Sequence, residues 1–376
     1  METFAQELID AIIDHLPRPD MHSCSLVAKR WRRRCQQHTF AHVVICRERH
    51  VELWHTNILQ DPNGIPSYVQ HVEFLRIGWR KLALLSLMLK CFCKLKSLTM
   101  VDTVIPLEPE GLDGSAQFGK FGQQITRLAL CTIDGATTTM MSLILSLPNL
   151  QGLSLNDVDV EGEVSIPPGR SQNRRLQFLE LHDVTTNVIG ALARYPFASR
   201  QISMGALGES LSVTLLLAPS SQTLVSLELK GMYFVVNFPV EVMLIGFLDL
   251  WFYGRAARYP AIYIPQLPAL KTLIVETYTN DLSHGLTDIL FSIRSVPQLS
   301  SVTFTFARLF SGDFPVYDAW RGVDGWLEQL ARTEVREKDG LKVEMRVLSE
   351  EWPAGDGFLC SFEKAGGEVR VVKVLA

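Results

Sequence analysis

Apolar positions recur along this chain with two different periods. Between residues 4 and 16 they fall at Phe4, Leu8, Ile9, Ile12, Ile13 and Leu16. Steps of three and four place them on one face of a helix, with Thr3 as its N-cap and Glu7 and Asp10 in its early turns, where the helix dipole favours acids. Pro17 and Pro19 end that helix, because proline lacks an N–H and restricts the residue before it. Asp20 is read as the N-cap of a second helix through Met21, Leu26 and Val27, and a third helix carries Trp31. Three short helices cannot enclose a sizeable core of their own. Their apolar face therefore needs a partner, either the rest of the chain or another protein.

From residue 69 the period changes. The template L-x-x-L-x-L, with other apolar residues allowed for leucine, starts at Val69, Leu95, Ile125, Leu150, Leu176, Leu224, Ile245, Leu270 and Leu299, with a poorer copy at Ser199. These starts lie 21–30 residues apart, in or near the range of about 20–29 typical of leucine-rich repeats. The last two template positions are two residues apart, so both point to one side of a short strand. Helix-like stretches separate the strands at 81–93, 137–147, 186–195 and 284–296. Strand, helix, strand in one direction predicts a parallel sheet with outer helices, curved into a solenoid in which neighbours stack to bury a shared core. The last segment differs: 318–333 reads as an amphipathic helix and 341–348 and 369–375 as strands, together a cap on the solenoid edge. The expected class is α/β, with a helical segment at 1–45, an irregular leucine-rich-repeat solenoid at 46–310 and a C-terminal α+β cap at 311–376.

Composition narrows the function. The 376 residues carry a net charge of −4, so no bulk basic field exists for nucleic acid or anionic lipid. The one basic run, Lys29–Arg34, reads as the solvent edge of the third helix. The most apolar stretch, 234–253, is broken by Asn237, Pro239, Glu241 and Asp249, which argues against a membrane span. Residues 1–16 carry Glu2, Glu7, Asp10 and Asp14 where a secretory leader needs a cationic start and an uncharged run. The seven cysteines form no C-x-x-C pair and read as free thiols of a reducing compartment, so a cytoplasmic or nuclear location is expected. No phosphate loop, G-x-S-x-G elbow or H-E-x-x-H helix occurs. The sequence thus predicts no catalytic residue, no metal site and no cofactor.

The first forty residues resemble an F-box. Phe4-Ala5-Gln6-Glu7 stands where that family has a Leu-Pro-x-Glu-like opening. Ser25-Leu26-Val27-Ala28-Lys29-Arg30-Trp31 stands at its second block, at matching spacing. Phe4, Ala5 and Ala28 depart from the family's leucine, proline and cysteine. The resemblance implies a docking segment for the Skp-family adaptor of an SCF-type cullin ubiquitin ligase, with Phe4, Ala5, Glu7, Leu8, Ile12, Leu16, Leu26, Val27 and Trp31 forming the adaptor-facing surface or its support. The irregular repeats resemble those of fungal F-box proteins, which implies a substrate receptor that binds a target protein through the solenoid. The other reading of the same sequence is a leucine-rich-repeat scaffold or inhibitor whose helices only cap it.

In such a solenoid the residues between the buried ones form contiguous tracks on the exposed side of the sheet. Glu180, Glu228, Asp249 and Glu276 gather there near Trp251. They are the candidate substrate-binding patch, suited to a basic or mixed-charge segment.

Overall fold

The structure, a computed structural model, describes residues 5–58, 64–77, 88–105, 122–162, 174–195, 197–205, 216–230, 266–277, 290, 296–306, 323–330, 332, 341–347 and 368–373. The chain divides into two compact units, Met1–Arg170 and Ser171–Ala376.

The first unit opens with α1 (Gln6–Asp14), α2 (Arg18–Val27) and α3 (Lys29–Ala41). The chain then passes directly into β1 (His42–Ile45), a strand that the sequence reading did not anticipate. A short helix, α4 (Glu48–Leu53), follows. Next come β2 (His71–Leu75), β3 (Ser97–Ile105), β4 (Arg127–Ala136), α5 (Thr137–Ser146) and β5 (Gly152–Glu161). Each of these strands pairs parallel with the next, in chain order. The second unit contains β6 (Arg174–Val184), α6 (Thr186–Arg194), β7 (Phe197–Gly205), β8 (Ser226–Lys230), β9 (Thr272–Thr277), β10 (Ser301–Phe306), β11 (Lys342–Val347) and β12 (Glu368–Lys373). Its described strands are likewise parallel neighbours in chain order.

The period seen in the sequence has a physical counterpart at each strand. The first template residues Val69, Leu95, Ile125 and Leu150 are buried, as are the paired positions Leu98 and Met100, Leu128 and Leu130, and Leu153 and Leu155. In the second unit Leu179 and Leu181, Ile202 and Met204, Leu227 and Leu229, and Leu273 and Val275 repeat the pattern. The approach to each strand is stacked as well. The Gln70 carbonyl accepts from the N–H groups of Lys96 and Ser97; the Lys96 carbonyl accepts from Thr126 and Arg127; the Thr126 carbonyl accepts from Gln151 and Gly152. One carbonyl thus satisfies two donors of the following strand and sets its register.

The template copy at Ile245, which calls for a strand between those at Leu224 and Leu270, lies outside the described residues; β8 pairs directly with β9, Ser226 opposite Thr272 and Lys230 opposite Glu276. At the other end, β11 and β12 continue the parallel ladder from β10 in register. The second helix begins at Arg18 behind Pro17, not behind Asp20, which lies in its first turn. Pro19 near its start explains the shift, since the N–H it lacks has no helical partner there in any case. The helices expected at 137–147 and 186–195 are α5 and α6, and the run at 323–330 is helical within the expected 318–333.

A recurrent corner also appears. Arg76, Asp102, Thr132, Asp157 and Asp183 all adopt left-handed backbone, with φ between 48° and 55°. Pairing runs Val101–Cys131–Asn156, omits the next residue of every strand, and resumes at Thr103–Ile133–Val158. The residue after each corner is β-branched and buried: Ile77, Thr103, Ile133, Val158 and Val184. Since the corners coincide from strand to strand, the chain bends without losing its stack. Left-handed backbone costs an L-residue about 1–2 kcal/mol, least for Asp and Asn. Exposed Asp157 isolates this term. Asp157→Val is expected to lower stability by about 1–2 kcal/mol in urea unfolding, and Asp157→Gly by no more than a few tenths. Equal losses in the two variants would show that the corner conformation is not what residue 157 contributes.

Candidate functional site

The N-terminal helices form a small core with an apolar exterior. In α1, Ile9 and Ile13 stand one turn apart and are buried, at 1% and 0% exposure. With Cys35 of α3 they make the centre of the cluster, and Leu16, Cys24 and Trp31 pack around it half-buried. Burial raises the Cys35 thiol pKa above its ordinary value, with Cys24 adding to the shift. Raising the pKa favours the protonated thiol, and Cys35 packs in the centre of this core.

The next row of α1 points the other way. Leu8 and Ile12, again one turn apart, are 56% and 51% exposed, and Leu26 and Val27 at the end of α2 are 69% and 68% exposed. Isolated exposed leucines are ordinary, but four large aliphatic side chains exposed on two short helices offer apolar area to a partner. No side-chain cap holds the start of α1; the Ala5 carbonyl accepts from the N–H groups of Leu8 and Ile9.

An ionic clamp fixes α1 against α3. Arg34 donates from Nε and Nη2 to the two carboxylate oxygens of Asp14, both at 2.6 Å, and His38 Nε2 lies 2.7 Å from Asp14 Oδ1. Arg34 and His38 are one turn apart on α3, so both reach the same carboxylate. The fork-to-fork geometry is the stronger form of such a pair. Asp14 ends α1, where the helix dipole disfavours an acid, and the two cations offset that penalty. The hydrogen bonds from Arg34 are the main reason that the Asp14 carboxyl is held at about 2, below its usual 3.8; partial burial opposes them and His38 reinforces them.

Of the residues singled out in the sequence, Ala5, Glu7, Leu8, Ile12, Leu26 and Val27 are exposed, whereas Leu16 and Trp31 support the surface from within. Phe4, like Thr3, lies outside the described residues. The clamp was not anticipated, because nothing in the local pattern links Asp14 with positions twenty and twenty-four residues on. Of the basic run, Lys29, Arg30, Arg32 and Arg33 are exposed.

In the second unit, the register sets Glu180, Ser203, Glu228 and Ile274 side by side, and His182, Gly205, Lys230 and Glu276 in the row beyond. Glu180 lies 3.3 Å from His182 and Glu228 lies 3.2 Å from Lys230. Asp249 and Trp251 lie outside the described residues. No group of three or more His, Cys, Asp or Glu side chains is placed to hold a metal among the described residues. No described helix is long and apolar enough to cross a membrane.

The exposed pairs Leu8/Ile12 and Leu26/Val27, raised on a core of Ile9, Ile13 and Cys35, lie wholly within a recognisable module. Residues 5–42 match the F-box domain. The F-box match ends at the first residue of β1, so the module and the sheet share a junction with no linker between them. No curated protein matches the chain.

Two measurements test this division of labour within the F-box. Ile13→Ala should cost about 3 kcal/mol as a buried truncation, and Leu26→Ala less than about 0.5 kcal/mol. Similar losses would contradict the assignment of inner and outer rows. For the clamp, a folded-state carboxyl pKa below its unfolded value contributes stability that is complete above 3.8 and is lost as pH falls through about 2. Asp14→Asn should therefore be less stable than the parent protein at pH 7 and pH 5, with the difference closing towards pH 2.

Proposed function

We propose that this protein is the substrate-recognition subunit of an SCF-type ubiquitin ligase. In this reading the F-box helices bind a Skp-family adaptor, and the parallel repeats, taken as an irregular leucine-rich-repeat solenoid, bind the target. The observation that carries the proposal is the coincidence of the F-box match at 5–42 with an unpartnered apolar face made by Leu8, Ile12, Leu26 and Val27. An apolar helix face laid against partner helices is an established mode of recognition. Ala5 and Glu7 border this surface, Phe4 precedes it in sequence, and Leu16 and Trp31 hold it from beneath. The chain makes and breaks no covalent bond in this role: it brings target and ligase together and so raises the effective concentration of one near the other. Such work belongs to the cytoplasm or nucleus and calls for no cofactor.

The target face is the exposed side of the sheet. Glu180, Glu228 and Glu276, with Asp249 and Trp251 beyond the described residues, are candidates there. A basic target segment would have to draw Glu228 away from Lys230 and Glu180 away from His182, which limits what those carboxylates contribute.

Coexpression with a Skp-family adaptor tests the proposal. The full chain should copurify with the adaptor. Leu26→Glu/Val27→Glu should abolish copurification while leaving the melting temperature within about 2–4 °C of the parent, since the two side chains are already exposed. Copurification undiminished by these changes would refute the adaptor role and favour a leucine-rich-repeat scaffold with a helical cap.

A further inference from the structure

Several charged side chains on or beside the described strands are matched by a neighbour. His42 faces Glu73 at 3.5 Å, Arg76 binds Asp102 at 2.7 Å, and Glu180 and Glu228 meet His182 and Lys230. A cluster without such a match lies at the leading edge of the first unit's strands. There His71, Ser97 and Arg127 occupy adjacent register positions on β2, β3 and β4, and Lys96 immediately precedes Ser97. His71, Lys96 and Arg127 are exposed. Among the described residues, neither Lys96 nor Arg127 has an acidic partner, and the Ser97 hydroxyl has no hydrogen-bond partner. The next position in the row is Gly152, and a Cβ there would stand 3.4 Å from Arg127 Cγ, so the missing side chain leaves room beside the arginine stem.

The lysine and arginine also act on the neighbouring imidazole. The His71 imidazole is driven below its ordinary pKa first by burial and then by His42, Arg127 and Lys96. Glu73, the acid on β2, faces His42. In a chain of net charge −4, a local excess of positive charge around an unpartnered hydroxyl is a built-in electrostatic demand for an anion.

We propose that this edge is a docking site for an acidic, Asp/Glu-rich segment of the target protein, with a carboxylate held between Lys96 and Arg127 above the Ser97 hydroxyl. The proposal rests on the reading of the sheet as the target face. Its geometry suits an extended peptide. Neighbouring strands stand about 4.8 Å apart, so the row from His71 to Arg127 spans about 10 Å, and alternate side chains of an extended segment recur about every 7 Å. Two carboxylates of such a segment can therefore meet the row together, and arginine gives one of them a forked, charge-assisted contact. The row has no Phe, Tyr or Trp on which a nucleic-acid base could stack, which favours a peptide over a polynucleotide.

The test uses the full chain, a fluorescein-labelled hexaglutamate peptide, the matching hexaglutamine peptide and a single-stranded oligonucleotide. Anisotropy at low salt should show saturable binding of hexaglutamate and none of hexaglutamine, weakening in 0.5 M salt as screening sets in. Lys96→Gln/Arg127→Gln should reduce the affinity at least about fivefold. Lys29→Gln/Arg30→Gln, which removes two exposed cations elsewhere, should leave it unchanged. Should the double variant fail to fold, Lys96→Glu alone is expected to give the same loss. Equal binding by parent and edge variant, absence of hexaglutamate binding, or tighter binding of the oligonucleotide would each overturn the proposal. Adaptor copurification measured on the same protein separates the two readings: adaptor binding without hexaglutamate binding sinks the edge site alone, and the reverse result sinks the ligase assignment while leaving the site.

Discussion

Each strand of this protein buries its inner face only because another strand stands beside it in register. A single unit of the form L-x-x-L-x-L has three apolar side chains and no second layer to cover them, so it has no stable existence alone. The shared carbonyl at Gln70, Lys96 and Thr126 enforces that register at the start of each strand, and the coincident left-handed corner enforces it at the end. Between these two fixed points the apolar pairs align without adjustment. Exposed-face residues are then brought into rows whatever their chemistry, because the backbone has already decided their spacing. This is why the sheet can vary its outer side chains freely while the inner template positions remain leucine, isoleucine, valine, methionine or phenylalanine.

The F-box meets the opposite constraint. Its helices are too short to hide all their apolar residues, and they divide them between two rows of α1 offset by one position. Ile9 and Ile13 close on Cys35, and Leu8 and Ile12 remain outside. The Asp14–Arg34–His38 clamp ties the end of α1 to α3 beside that core. An exposed ion pair contributes little to stability on average, so the burial of Ile9 and Ile13 sets which aliphatic row faces outward. Direct continuation of α3 into β1 then couples that orientation to the first strand of the sheet.

Much of this was legible in the sequence, and the limits have physical causes. Helix α1, its end before Pro17, helices α5 and α6 and most strands follow from period and breakers. The template at Ile245 falls outside the described residues, and β8 pairs with β9. An apolar spacing says that a segment suits a strand, but only a neighbour with matching register makes it one. β1 escaped notice for the converse reason: four residues give too little alternation to read, and its pairing with β2 is what defines it. The corner did leave a trace, since an Asp, Thr or Arg followed by a buried Ile, Val or Thr recurs after the L-x-L core. That signal is one of backbone conformation, so a search limited to hydrophobic period passes over it. At the candidate adaptor surface, the sequence identified Leu8, Ile12, Leu26 and Val27 but did not separate them from Leu16 and Trp31, which share their composition and differ only in depth.

Charge shows the same limit more sharply. Along the sequence, Glu180, Glu228 and Glu276 read as an acidic concentration because carboxylates can be counted there. In space, Glu180 and Glu228 each meet a basic side chain two residues away on their own strand, and Glu276 stands opposite Lys230 in register. A lysine and an arginine that attract little attention in the sequence, Lys96 and Arg127, stand at the start of neighbouring strands with no acidic partner among the described residues. Net charge along a segment therefore overstates what a partner would feel. In a parallel stack the relevant quantity is the charge of a row after each side chain has met its neighbours, and by that measure the edge around Ser97 has the larger uncompensated demand.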